Sequence, residues 1–374
     1  MITKALKVYR TLSVQKCACV NRRDRCLTAM EFEEPDTLPI SEQSIDPLVR
    51  NEVLGKRKGV DALITAHVKA DVDAIWVGTG PPVHYKPPIW LSDRVYVDQL
   101  GRVNEIRQDI NTTWYKAGTV KSLDDWEKIR GDLDPHAPDV LDAFTETVKL
   151  ARPHEMCIIG TLACGALTNA YLTCGISTAL QSFYRNPEFV HKIAEDFAMS
   201  FIDVIGQMVD LGADVFCIGD DLADCNGPLV SPTMLRKYIF PLLKRVNVEV
   251  KRHGKLIFLH SDGNLYPILD DIVDAGYDGI QAIEPQAGMD IGVVKERYGD
   301  KLFLMGNVDV SHTLSFGSIS DVERETREVI RKASPGGGHV LSSSNSMHNA
   351  VRVENFLAMV RTGRKYGKYS NLRA

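Results

Sequence analysis

The chain has 374 residues, 44% of them hydrophobic and 25% charged, with a formal net charge of −5. That length suits one large α/β domain or two ordinary ones, and the mild acidity supplies no basic surface for nucleic acid. No apolar run approaches the roughly 20 residues that span a bilayer. The stretch MITKALKVYRTLSVQKCACVNRRDRC lacks a continuous apolar segment and a small-residue cleavage site, so no secretory signal is read and a cytoplasmic location is expected. The eight cysteines include no C-x-x-C pair, and reduced thiols are expected in place of a zinc knuckle; Cys17 and Cys19 lie near the start, the others further on.

In chain order, residues 1–30 read as a helical lead-in. A first strand is predicted at 37–40, after the turn signal Glu34-Pro35-Asp36. A second, at 73–77, ends in Gly78-Thr79-Gly80. Because Pro81-Pro82 follows, no helix with free amides starts there, and a plain turn is expected rather than a phosphate loop. Around residues 90–121 the pattern changes. Val95 and Val97 alternate with polar residues, a turn falls near Gly101, and Val103 and Ile106 follow. This reads as a β-hairpin insertion with a third strand at 115–120, serving as a lid or a dimer surface. Pro135 and Pro138 mark a connection, and a helix is predicted over 140–151.

Regular units then resume. Strands at 156–159 and 214–218 flank a long amphipathic helix over 189–211, and the second of them ends in Gly219, Asp220 and Asp221. The stretch LIFLHSDGNLYPILDDIVDAGYDGIQAIEPQAGMD is a complete β-α-β unit. An apolar strand at 256–259 runs into His260, Ser261, Asp262, Gly263 and Asn264. Leu265, Ile268, Leu269, Ile272 and Val273 recur at helical spacing, and a strand at 279–283 is closed by Glu284. Strands at 302–305 and 339–341 lead to Asn307 and Asp309, and to Ser342, Ser343, Ser344 and Asn345.

Eight strand candidates, most followed by a helix-compatible segment, predict a single (β/α)8 TIM barrel over residues 31–374. An open doubly wound sheet would leave its glycine signature missing. In a barrel, Asp220, Asp221, His260, Asp262, Glu284, Asn307, Asp309 and Asn345 all emerge on the C-terminal rim. Asp220 and Asp221 are adjacent and cannot face one point, so one of them is structural. Carboxylates and amides converging on one mouth suit a polar heterocycle or a proton-transfer step. His260, Asp262 and Glu284 could together ligate a metal, but they have no thiolate company, and no tightly bound metal is expected.

The ordered phrases RCLTAMEFEEPDTLPI, HSDGN, IEPQAGMDI, GNVD and PGGGHVLSSSNSMHNAVRVENFLAM, from about Arg25 to the C-terminus, resemble the uroporphyrinogen decarboxylase superfamily. The resemblance implies a TIM barrel and one of two chemistries. One is cofactor-free decarboxylation of uroporphyrinogen; the other is methyl transfer from a methylated corrinoid protein to an acceptor such as coenzyme M or tetrahydrofolate. SEQSID, from Ser41, stands where the decarboxylases carry the arginine-rich RQAGRY, and Gly78-Thr79-Gly80 stands where they carry an aspartate. Tyr171 aligns with their active-site tyrosine, while Asn345 falls where a late histidine is expected. The zinc-dependent thiol methyltransferases carry His-x-Cys and a further cysteine, replaced here by Asp262 and the SSSNS run.

The branch so implied is a corrinoid-dependent methyltransferase, with tetrahydrofolate as co-substrate and methylcobamide supplied by a partner protein. It would need no tightly bound cofactor of its own. His260, Asp262 and Glu284 would be catalytic, and Asp220, Asn307, Asp309, Asn345 and Tyr171 would hold the substrate. A homodimer rests on the resemblance alone. A decarboxylase acting on a tetrapyrrole or another carboxylated substrate stays as the alternative, and a non-catalytic binding barrel as a third reading.

Overall fold

The strands of this protein are short apolar runs interrupted by glycine and polar turns, and the computed structural model resolves how they pair. It describes residues 20–372 apart from 55–58, 80, 81, 84, 108–111 and 138. Most of the predicted lead-in, together with Cys17, Cys19, Gly80, Pro81 and Pro138, lies outside the described residues.

The strands are, in order, β1 (Ala74–Thr79), β2 (Ile89–Trp90), β3 (Val95–Val97), β4 (Arg102–Arg107), β5 (Thr112–Gly118), β6 (Cys157–Leu162) and β7 (Val215–Gly219). They continue with β8 (Ala223–Asp224), β9 (Gly227–Pro228), β10 (Leu256–Ser261), β11 (Gly279–Ala282), β12 (Phe303–Val308) and β13 (His339–Ser343). Seven of them form one parallel sheet in the order β1-β6-β7-β10-β11-β12-β13. Each neighbour is the next parallel strand in the chain, so the intervening helices cross back over one face and the sheet curls in the manner of a TIM barrel.

The predicted strand at 37–40 is reduced to isolated bridges. Ile40 bridges Leu341 in parallel, and Ser41 N donates to Leu341 O at 3.0 Å. On its other side, Asp73 N donates to Ile40 O at 2.8 Å, so this segment lies between β13 and the start of β1. Pro39 has no N–H to give, which keeps the segment from extending into a regular ladder.

Alternation along the strands sorts the core into two layers. Ile257 and Leu259 join the outer layer beneath the helices, whereas Phe258, Trp76, Val215, Cys217, Phe303 and Met305 fill the interior. Trp76 meets Phe258 edge-on at 5.2 Å between ring centroids, and Phe258 meets Phe303 at 5.5 Å. The helix Arg22–Met30 adds Cys26 and Met30 to that inner layer. On the outside, the helix Pro187–Leu211 buries Phe189, Val190, Ile193, Ala194, Phe197, Phe201 and Val204 at 3–4-residue spacing.

The stretch read as a hairpin is a four-stranded antiparallel sheet, β2-β3-β4-β5, whose last strand begins at Thr112 rather than at 115. It lies against the helix Ala166–Cys174: a Cβ on Gly118 would sit 2.3 Å from Thr173 O, so only glycine permits the approach. Ile89, Trp90, Leu91 and Trp114 stay exposed on this sheet. Among the described residues no helix is long and apolar enough to cross a membrane.

Candidate active site at the C-terminal mouth

Period-two alternation decides what reaches the mouth. His260 has the parity of the interior Phe258, so its side chain points inside the curled sheet. Gln281 is the β11 register partner of His260, and its Oε1 lies within hydrogen-bond distance of the imidazole Nδ1. That bond puts the proton on Nδ1 and turns Nε2 toward Asp262 Oδ1, 3.9 Å away.

Asp262 is held from across the barrel. Asn345 Nδ2 donates to both of its carboxylate oxygens, at 2.9 and 2.8 Å. Its backbone N–H donates to Asp221 Oδ1 at 3.3 Å, and the next N–H, of Gly263, donates to Glu284 Oε2 at 2.9 Å. Gly263 takes φ +87°, and a Cβ there would lie 2.6 Å from the Ala223 backbone, so the turn that presents Asp262 requires glycine. Burial raises the Asp262 pKa, nearby His260 lowers it, and the Asp221 charge raises it again.

Asp220 and Asp221 divide their roles as adjacency demands. Asp220 is fully buried and accepts from Leu167 N at 3.1 Å and Thr168 N at 2.7 Å, capping the helix Ala166–Cys174 from a neighbouring strand. Burial lifts its pKa to about 6, against those hydrogen bonds. Asp221 is the one that joins His260 and Asp262, with one potential ligand atom from each lying within 4.8 Å of the others. Tyr171 projects from the same helix; burial, then the Asp221 charge, raises its phenol pKa.

Other rim residues spend their side chains on loops. Asn307 Nδ2 donates to Ile283 O at 3.1 Å. Asp309 accepts from Ser311 N at 2.7 Å, His312 N at 3.1 Å and Gln286 Nε2. The structure therefore gathers His260, Asp262, Asn345 and Glu284 with Asp221, and places Asp220, Asn307 and Asp309 as supports behind them.

Two participants were missed from sequence. Gln281 lies within the strand predicted at 279–283, where only the closing Glu284 was singled out. Glu42 lies in SEQSID, a segment read only for the arginines it lacks. It is fully buried and accepts from Ser343 N at 3.0 Å. Ser343 Oγ lies 2.5 Å from Glu42 Oε2 and 2.5 Å from Asn345 O, yet a hydroxyl has one proton to give. A Glu42 carboxyl that keeps its own proton completes both bonds, and burial pushes its pKa up to about 8.

The Asp221, His260 and Asp262 set is one imidazole and two carboxylates, a hard-to-borderline donor set without a thiolate. Both Asp262 oxygens already accept from Asn345, so a cation there would compete with that amide.

A family model described as uroporphyrinogen decarboxylase (URO-D) matches residues 110–366. The uroporphyrinogen decarboxylase of Coxiella burnetii is 28% identical over 237 residues, 59% of this chain and 61% of that protein. The methylcobamide:CoM methyltransferase MtaA of Methanosarcina barkeri is 25% identical over 229 residues, 60% of this chain and 64% of that protein. The match thus spans a little over three fifths of these relatives' own lengths. A solved methyltransferase from Methanosarcina mazei has the same fold, with a TM-score of 0.72 over 92% of this chain and 99% of that one, at 21% identity. A B12-independent methionine synthase from Shewanella sp. W3-18-1 aligns at a TM-score of 0.54 over 90% of this chain and 100% of that one, at 13% identity. Since the family match covers well over half of the residues, and runs through every strand of the curled sheet from β6 onward, this protein belongs to the uroporphyrinogen decarboxylase (URO-D) family.

Proposed function

We propose that this protein transfers a methyl group from a methylated corrinoid protein to a small acceptor, with tetrahydrofolate as that acceptor. The observation that carries the reading is the carboxylate-rich mouth. Where the decarboxylases carry arginines, Ser41 accepts from Trp76 Nε1 at 2.8 Å and Glu42 is locked to Ser343. A tetrapyrrole with many carboxylates needs several cationic partners, whereas Asp221, Asp262 and Glu284 suit a ring that offers N–H groups. The MtaA relative, a methylcobamide:CoM methyltransferase by name, supports a corrinoid donor.

The methylcobamide of the partner protein would supply a methyl group already activated for transfer. The protein's own part is positioning, since displacement at methyl needs donor and acceptor in line at near contact. Asp262, oriented by Asn345, would read the N–H edge of the acceptor. When N5 of tetrahydrofolate gains methyl it releases its proton, and His260 Nε2, free because Gln281 engages Nδ1, would receive it. Asp220, Asn307 and Asp309 would act by fixing the loops around the ring, and Tyr171 would close one wall. A homodimer and a cytoplasmic location belong to the same proposal.

A carboxy-lyase acting on a carboxylated substrate is the second reading, supported by the Coxiella relative and by Tyr171 beside Asp221. The two are separated by incubating the protein with methylcobalamin and tetrahydrofolate, following loss of the cobalt-bound methyl in the cobalamin spectrum, and by a parallel assay of uroporphyrinogen decarboxylation. Turnover of uroporphyrinogen without any folate binding would replace the first reading with the second.

A further inference from the structure

Arg102 is a buried cation without a counter-ion. Its side chain leaves β4, passes over the Phe197 ring with its guanidinium carbon 5.9 Å from the centroid, and ends against the helix Ala166–Cys174. It is 9% exposed. One amino group donates to Asn169 Oδ1, while Nε is buried with no hydrogen-bond partner. Among the described residues, no ion pair within 4.0 Å is formed by this guanidinium, whereas Arg25 and Arg364 each have at least one carboxylate.

The groups that surround it form no close ion pair with it. Asp98 Oδ1 is turned to the backbone, accepting from Leu100 N and Arg102 N at 2.9 Å each. Cys164, Tyr115 and Tyr171 also feel the cation, and burial raises the pKa of all three, so they stay neutral. Burial lowers the Arg102 pKa as well, but a guanidinium remains charged at any physiological pH. An ion removed from water carries a penalty of several kcal/mol that a neutral amide and a ring face offset only in part.

The helix Ala166–Cys174 links this cation to the chemistry described above: Asn169, which Arg102 meets, follows Thr168, whose Oγ1 accepts from Asp221 N at 2.9 Å, and Asp221 converges with His260 and Asp262. We propose that Arg102 is an anion-binding subsite of the mouth, and that the small-molecule substrate carries a carboxylate or sulfonate that pairs with it while its reactive end lies at His260 and Asp262. The subsite comes from the antiparallel sheet rather than from a strand of the barrel. The proposal deepens the methyl-transfer reading and rests on it for the identity of the reactive end.

The test uses the full chain and matched pairs of probes. Wild type, Arg102→Gln and Arg102→Lys are titrated calorimetrically with tetrahydrofolate and with a tetrahydropterin lacking the glutamyl group, then with 2-mercaptoethanesulfonate and 2-mercaptoethanol. Wild type is expected to favour the anionic member of one pair by at least about 10-fold; the pair concerned tells a glutamyl carboxylate from a sulfonate. Arg102→Gln is expected to lose about 10- to 100-fold for that member, as for a charge-assisted hydrogen bond, and no more than about twofold for the neutral one. Arg102→Lys recovers part of the loss. Equal binding of both members, or equal weakening of both by Arg102→Gln, overturns the subsite.

A second measurement does not depend on the acceptor. Replacing chloride by sulfate at constant ionic strength should raise the melting temperature of wild type more than that of Arg102→Gln, since general salting-out acts on both alike. Equal shifts overturn the anion site. A larger wild-type shift with no binding of any methyl acceptor keeps the subsite and rejects the methyl-transfer reading.

Discussion

Asn345 Nδ2 donates to both carboxylate oxygens of Asp262, at 2.9 and 2.8 Å, across 83 residues of chain. Two rim groups that could each have been a loop cap instead restrain one another at the centre of the mouth. If Asp262 reads the acceptor, Asn345→Ala should lower the methyl-transfer rate by about 10- to 100-fold through lost orientation. Asp262→Ala should weaken acceptor binding as well. Stopped-flow cobalamin spectra with an acceptor titration separate the two, and unchanged kinetics in both variants would remove the pair from the site.

Glu42 offers a pH signature. Its folded pKa is raised from 4.5 to about 8, so the native state binds a proton that the unfolded chain releases between those values. Stability from this group is fully present below about pH 4.5, falls as pH rises, and is lost above about pH 8, by a few kcal/mol at most. Glu42→Gln, which keeps a donor toward Ser343, should flatten that slope in urea unfolding at pH 5, 6.5 and 8. Glu42→Ala should unfold more readily at every pH. A slope equal in wild type and Glu42→Gln would show that the carboxyl is not protonated in the fold.

Asp220 should prove to be a fold residue. Its oxygens serve two N–H groups at the start of the helix Ala166–Cys174, and Asp220→Ala would orphan both. A loss of about 2 kcal/mol in denaturant unfolding is expected, with Asp220→Asn losing less. Direct loss of acceptor affinity in a stably folded Asp220→Asn would return this residue to the binding surface.

Elemental analysis after dialysis should find no stoichiometric zinc, because Asp221, His260 and Asp262 contain no thiolate and Asn345 already engages Asp262. One zinc per chain would reverse this. Asp221→Ala would then be expected to release it, and Glu284→Ala to retain it, as Glu284 is bonded to Gly263 N.

Local patterning was enough to mark the strand ends. Apolar runs closed by Gly and Asp or Asn at Gly219-Asp220 and Gly306-Asn307 are signals spanning a few residues, and the parallel strands followed from them. Likewise His260 and Asp262 were visible because a polar cluster directly after a buried strand falls on a rim. The division between Asp220 and Asp221 was not visible, since it depends on which carboxylate meets the amides of Leu167 and Thr168, 53 and 52 residues away. Glu42 and Arg102 were hidden for the same reason. Ser343 lies 301 residues from Glu42, and Asn169 lies 67 from Arg102, so whether each charged side chain meets solvent, a counter-ion or neither is decided by packing between distant segments. Sequence spacing determines which face of a strand a side chain occupies; only the closed fold determines the dielectric and the partners it finds there, and those set its charge.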